Sequence, residues 1–172
     1  MFPRERIGPA LAAVLEGLKL ARRELEGSAE DSLRRRWVPV GLIAALQAAL
    51  SGYESAAPED ACDPSQPEHL APIALLLRRA RSQDYLNLPE RLELSGHTMR
   101  DIDAVIDARN RVLHALGEGE EPPANAAFRS VLRVVRYACL DHPAFPVAQH
   151  AVMLALIRDE ISALGRALGQ SG

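Results

Sequence analysis

The sequence predicts an all-α fold: an antiparallel helical bundle with a four-helix core and one or two extra helices. Two observations lead there. Hydrophobic residues make up 48% of the chain but aromatic ones only 4%, so Ala, Leu, Arg and Glu set a composition that favours helices over the β-branched and aromatic make-up of sheets. Apolar residues then recur at three- and four-residue spacings in six stretches joined by mostly short connections, the pattern of antiparallel neighbours.

The first stretch, residues 9–25, places Leu11, Val14, Leu15, Leu18 and Leu25 on one face, with Pro9 in its first turn and Gly27 just past its end. Asp31 or Ser32 caps the second, whose nearly all-apolar part spans residues 38–50 and stops at Ser51-Gly52, with Pro39 delaying or kinking its start. Residues 52–67 carry Pro58, Pro64 and Pro67 among acidic residues and read as a long loop. A third helix over residues 69–80 turns Leu70, Ile73, Ala74 and Leu77 inward and ends in Arg78 and Arg79. Residues 85–94 form a connector broken by Pro89, and the fourth helix runs from Thr98, as cap, to Gly117. Beyond the acidic turn at 117–123, Asn125 caps a fifth helix to Asp141, and Pro146 opens a sixth that lasts to Leu168. A chain of 172 residues suits one domain with one sizeable core.

Charge and cysteine usage narrow the function classes. A formal charge of -3 removes the global basic field of a non-specific nucleic-acid binder, so any such site is local. Cys62 and Cys139 show no CxxC spacing, which points away from zinc and disulfides and toward a reducing compartment. No stretch approaches the roughly eighteen apolar residues of a membrane span, and the first residues lack the pattern of a signal peptide, so the chain is read as cytoplasmic.

The fourth helix carries the residues of most interest. At about 100° per residue, Ile102, Val105, Ile106, Leu113 and Leu116 share a stripe whose centre is Arg109. An unpaired guanidinium there would cost several kcal/mol, so Arg109 must meet a carboxylate, backbone carbonyls, a ligand or a second subunit. Asp103, Asp107, Asn110 and His114 project beside the stripe at four- and three-residue steps, so Asn110 is placed to hydrogen-bond His114 and fix its tautomer. The plainer reading has Arg109 ion-paired within the bundle, Asp107 and Arg111 forming a surface pair, and His114 ending the helix at the surface.

The segment Asp107-Ala108-Arg109-Asn110-Arg111-Val112-Leu113-His114 resembles the signature of the HEPN superfamily: an Arg, a polar residue, and a His four to six positions after the Arg. The setting agrees, with an earlier apolar helix, an intervening loop, and the signature late on a long helix followed by another. The resemblance covers about residues 32–168, which makes residues 1–27 an added N-terminal helix on a single HEPN-like domain. It implies a homodimer paired through the helix that carries Arg109 and His114, and a metal-independent endoribonuclease of the toxin or defence-associated kind. RNA, and a protein antitoxin, are then the partners it implies. In that scheme Arg109 and its symmetry mate hold the scissile phosphate, His114 takes the 2′-OH proton or protonates the leaving oxygen, and Asn110 orients both. Cleavage through the 2′-OH leaves a 2′,3′-cyclic phosphate and calls for no metal or other cofactor. Position 116 is Leu where some HEPN families carry a modifiable tyrosine, so that mode of silencing is not expected here. The alternative is a non-catalytic HEPN-like module that binds a nucleotide, RNA or protein; a third reading is a structural helical protein with a coincidental motif.

Other residues carry less. Glu118, Glu120 and Glu121 make an acidic rim beyond the motif, and Arg78, Arg79, Arg81, Arg100 and Arg111 offset it only if they gather on its face. His69, His97, His142 and His150 lack metal-ligand spacing, and Trp37, Tyr53, Tyr85 and Tyr137 are too scattered to suggest a base-stacking platform and read as packing residues. There is no glycine-rich phosphate loop, nucleophile elbow or zincin motif.

Overall fold

Small residues at matched spacing bring the first two helices into backbone contact. Helix α1 (Pro3–Gly27) and helix α2 (Val38–Ser51) cross where Gly17 and Ala21 meet Gly41 and Ala45. A Cβ at Gly17 would stand 2.7 Å from the Gly41 carbonyl oxygen, and one at Gly41 would stand 2.5 Å from that of Gly17, so only glycine fits at either position. The structure is a computed structural model that describes residues 3–51, 62–82, 91–115, 121–141 and 147–170. Its helices pack as a bundle, the all-α architecture read from the sequence.

One continuous core holds these elements together. Helix α1 supplies Ile7, Leu11, Val14, Leu15, Leu18, Ala21 and Leu25 to it and packs on both α2 and the last helix, α6 (Val147–Gln170), so residues 3–27 are built into the core. Helix α2 is buried on nearly every side, with Val38, Leu42, Ile43, Leu46 and Leu50 all inside. Phe128 of α5 (Asn125–Arg136) is fully buried against this centre. Arg22 bridges α1 to Glu160 of α6, and buried Glu24 accepts hydrogen bonds from Arg34 Nε at 3.0 Å and Arg23 Nε at 2.9 Å.

Several boundaries differ from those read in the sequence. Pro9 lies inside α1 rather than opening it. Asp31 caps a 3₁₀ turn, Ser32–Trp37, and the α-helical path begins only at Val38. Residues 66–70 form a strand where a loop to residue 67 and a helix from His69 were expected: β2 (Gln66–Leu70) pairs antiparallel with β1 (Cys62–Asp63). Asp63 sets the turn between them, its Oδ1 accepting from the Ser65 amide at 2.8 Å and hydroxyl at 2.6 Å. Helix α3 therefore starts late, at Ile73 (Ile73–Ala80), because Pro72 in extended geometry (φ −55°, ψ 147°) disfavours a helix before it. Arg79 fastens the hairpin to α3 by donating to the Cys62 carbonyl at 3.0 Å.

Helix α4 (Gly96–Asn110) is capped by Ser95, whose Oγ accepts from the Thr98 amide at 3.1 Å, so Thr98 lies within the first turn instead of capping it. Ala124, not Asn125, occupies the cap position of α5. The Asn125 side chain is engaged elsewhere: Nδ2 donates to the Leu168 carbonyl at 2.9 Å, and Arg129 Nη1 joins it at 3.0 Å, satisfying a carbonyl that the end of α6 leaves open. Residues 52–61 of the expected 52–67 loop, residues 85–90 of the expected 85–94 connector, and Leu116, Gly117, Glu118, Glu120, His142 and Pro146 lie outside the described residues.

Candidate functional site

Helix α4 is seated by Ile102, Val105 and Ala108, which are buried against α2 and α5. A side-chain lock fixes its register: the buried Ser130 hydroxyl of α5 donates to Asp101 Oδ2 at 2.6 Å, and His97 Nε2 stands 3.5 Å from the same oxygen. Since α4 and α5 form a hairpin with Asp101 level with Ser130, the C-terminal end of α4 lies beside the N-terminal end of α5.

This seating corrects the projected stripe. Its buried line runs through position 108, so Arg109 flanks the seam and is half-buried rather than central to the core. After Asn110 the helix widens into a π turn, Arg111–Ala115, which changes the phase of every later side chain. Leu113, expected on the apolar stripe, is 47% exposed.

The π turn bears directly on the motif. Five residues along an α-helix rotate a side chain about 140° past a full turn, whereas a π turn closes its hydrogen bonds from residue i to i+5. Widening therefore brings position 114 back toward the face of position 109. Asn110 and His114 are exposed, and Arg109 Nη1 donates to Asn110 Oδ1 at 2.9 Å. The expected Asn110–His114 hydrogen bond is replaced by this one, because the Asn110 oxygen points to its neighbouring guanidinium. Among the described residues His114 makes no hydrogen bond, so its imidazole is open to solvent.

No known protein family, characterised protein or solved structure matches the chain. The site therefore rests on its own chemistry: a guanidinium, an amide and an imidazole on one solvent-facing end of a helix, the groups that bind an oxyanion and move a proton.

The same end of the bundle holds an arginine run that was not singled out in the sequence, beside Trp37, which reads there as a packing residue and is 38% exposed. The 3₁₀ turn Ser32–Trp37 packs on α4 and contains Arg34, Arg35 and Arg36 followed by the chain's one tryptophan. Arg34 is committed to Glu24. Arg35 reaches the head of α5, donating to Asn125 Oδ1 at 2.6 Å and to the Pro123 carbonyl at 3.3 Å, with its guanidinium 5.2 Å from the Phe128 ring centroid. Burial pushes its pKa down and nearby Glu121 pulls it back up, as expected of a structural cation. Arg36 lies over the Trp37 ring, 5.7 Å from its centroid. A run of three arginines before an aromatic was the available sequence signal.

The remaining candidates separate from the motif. Arg78 and Arg81 join Arg91 along an open groove of about 670 Å³ with Leu77, Leu92, Met99 and Asp103. A second groove of about 810 Å³ runs past Thr98, Arg133 and Tyr137. Both lie by the N-terminal half of α4, so these cations do not gather around His114. Arg79 is buried, and Asp103 and Asp107 are exposed. No cluster of three metal-ligating side chains occurs among the described residues, and no helix among them is long and apolar enough to cross a membrane.

Proposed function

We propose that this chain is an RNA-directed protein of HEPN type, a metal-independent endoribonuclease that acts as a homodimer through the C-terminal end of α4. The observation that carries this reading is the placement of half-buried Arg109 with exposed Asn110 and His114 across the α-to-π transition. Arg109 makes no ion pair among the described residues, so its charge is available to a phosphate. His114 acts as the general base on the 2′-OH or as the acid for the leaving oxygen, and the Arg109–Asn110 hydrogen bond fixes the guanidinium's orientation. Two such helix ends facing across a two-fold axis supply a guanidinium pair for the developing charge and an imidazole on either side of the scissile bond.

The test is incubation of single-stranded RNA with native protein in EDTA. Native protein cuts and His114→Ala does not; equal cutting by the two removes the nuclease reading. A non-catalytic binding module is favoured by one observation, the commitment of the Asn110 oxygen to Arg109 rather than to His114. That reading predicts RNA or nucleotide binding without cleavage by the same native protein.

A further inference from the structure

The turn that carries Arg36 and Trp37 has features that packing alone does not account for. Trp37 is 38% exposed where most other large apolar side chains among the described residues are buried, and Leu33 on the same turn is 64% exposed. Its flanking arginines differ sharply in their commitments. Arg34 is bound to Glu24 and Arg35 to the head of α5, whereas Arg36 is exposed and, among the described residues, makes no hydrogen bond or ion pair, only its contact with the Trp37 ring. The two structural arginines thus anchor the turn on both sides, holding the Arg36–Trp37 pair outward on a rigid base.

The position of this pair matters. Arg35 grips Pro123 and Asn125, and the Asp101–Ser130 lock puts those residues level with the second half of α4, the half that carries Arg109. We infer that Arg36 and Trp37 form a stacking platform for an unpaired base of single-stranded RNA whose backbone runs on to Arg109 and His114. The inference rests on the RNA-directed reading of that site and names its substrate class. An exposed indole offers a π-face to any base, and a guanidinium held over it adds both a planar stacking surface and a phosphate-attracting charge. A base paired within a duplex presents no free face, so the platform selects unpaired strands.

Trp37 as the chain's one tryptophan supplies the readout directly. The native chain is titrated with a short single-stranded 2′-O-methyl oligonucleotide, which lacks the attacking hydroxyl and stays intact, and Trp37 fluorescence is followed. Saturable quenching is expected from the single strand, with little from its duplex or from inorganic polyphosphate, which offers charge without bases. For the variants, two of which lack the fluorophore, affinity is read from the anisotropy of a dye-labelled copy of the same oligonucleotide: Trp37→Ala should weaken binding roughly tenfold to a hundredfold, Trp37→Phe should retain most of it, and Arg36→Gln at an exposed position should weaken it several-fold. Absence of quenching, equal quenching by polyphosphate, or native affinity in Trp37→Ala would overturn the inference. So would loss of a dimer in Trp37→Ala with RNA affinity unchanged, which would assign the patch to a second copy of the chain. Quenching with no cleavage by native protein would remove the nuclease reading and leave the platform, while cleavage with the same KM in native and Trp37→Ala proteins would do the reverse.

Discussion

His114 and Arg109 receive opposite treatment from the fold, and the difference suits the roles proposed for them. The imidazole is exposed without a hydrogen-bond partner among the described residues, whereas the guanidinium is half-buried and held by Asn110 at 2.9 Å. A proton carrier needs access to substrate; a charge clamp needs fixed orientation. Replacing His114 with Ala should lower cleavage by roughly a hundredfold to ten-thousandfold without lowering the melting temperature, since an exposed imidazole contributes little to packing. Arg109→Lys should lose most of the activity as well, because an ammonium cannot reproduce the planar fork. Steady-state rates of the two variants beside their thermal melts separate these effects from unfolding. Elsewhere, burial pushes the Cys139 thiol up to about 12, while Cys62 is only half-buried. Iodoacetamide near pH 8 should label Cys62 in the native protein and Cys139 only after denaturation; peptide mass mapping reads both, and equal labelling would contradict the burial.

Among the elements, the α1–α2 crossing makes the sharpest demand on sequence. Gly41→Ala puts a Cβ within 2.7 Å of the Ala21 amide nitrogen as well as against Gly17, and backbone cannot give way as a flexible side chain can. Urea denaturation should show a loss of about 1–3 kcal/mol, and a neutral result would mean the helices can slide apart. The α4–α5 lock is the next: Ser130→Ala leaves the Asp101 carboxylate short of its 2.6 Å donor and should cost about 1–3 kcal/mol. The existence of each helix was legible because it rests on apolar period alone. Their starts were less so, because caps depend on geometry: Ser95 and Thr98 are both good caps on paper, and only the chain's path before Gly96 selects Ser95. The hairpin at Cys62–Leu70 was hidden by its prolines, which read as loop until Asp63 and Arg79 are seen to fasten it. The π turn at Arg111–Ala115 was also invisible, since periodicity assumes a constant 100° step.

At the scale of the whole molecule, the C-terminal end of α1, the arginine turn and the head of α5 are joined by side-chain contacts. Glu24 is a hub of that end: the Arg34 hydrogen bond, reinforced by Arg23, holds its carboxyl below the usual 4.5 against the opposing effect of burial. A depressed folded-state pKa contributes stability above 4.5 that is lost as pH falls through the lowered value, so acid should loosen this end. Glu24→Gln should be less stable at neutral pH and show a flatter acid limb below 4.5 when melting temperature is followed against pH; an unchanged acid limb would take Glu24 out of this role. What the sequence could locate was the motif, because its residue types stand in order on one helix. Its setting was not legible, because Arg36 and Trp37 lie more than seventy positions earlier and their turn meets α4 only in the folded chain. The central claim is cleavage through the 2′-OH at Arg109 and His114, and the most direct measurement is end-group analysis of RNA and same-sequence DNA after incubation in EDTA with native and His114→Ala protein. The account predicts RNA fragments ending in 2′,3′-cyclic phosphate from native protein alone and intact DNA throughout; DNA cut alongside RNA, or the same ends from His114→Ala, would contradict it.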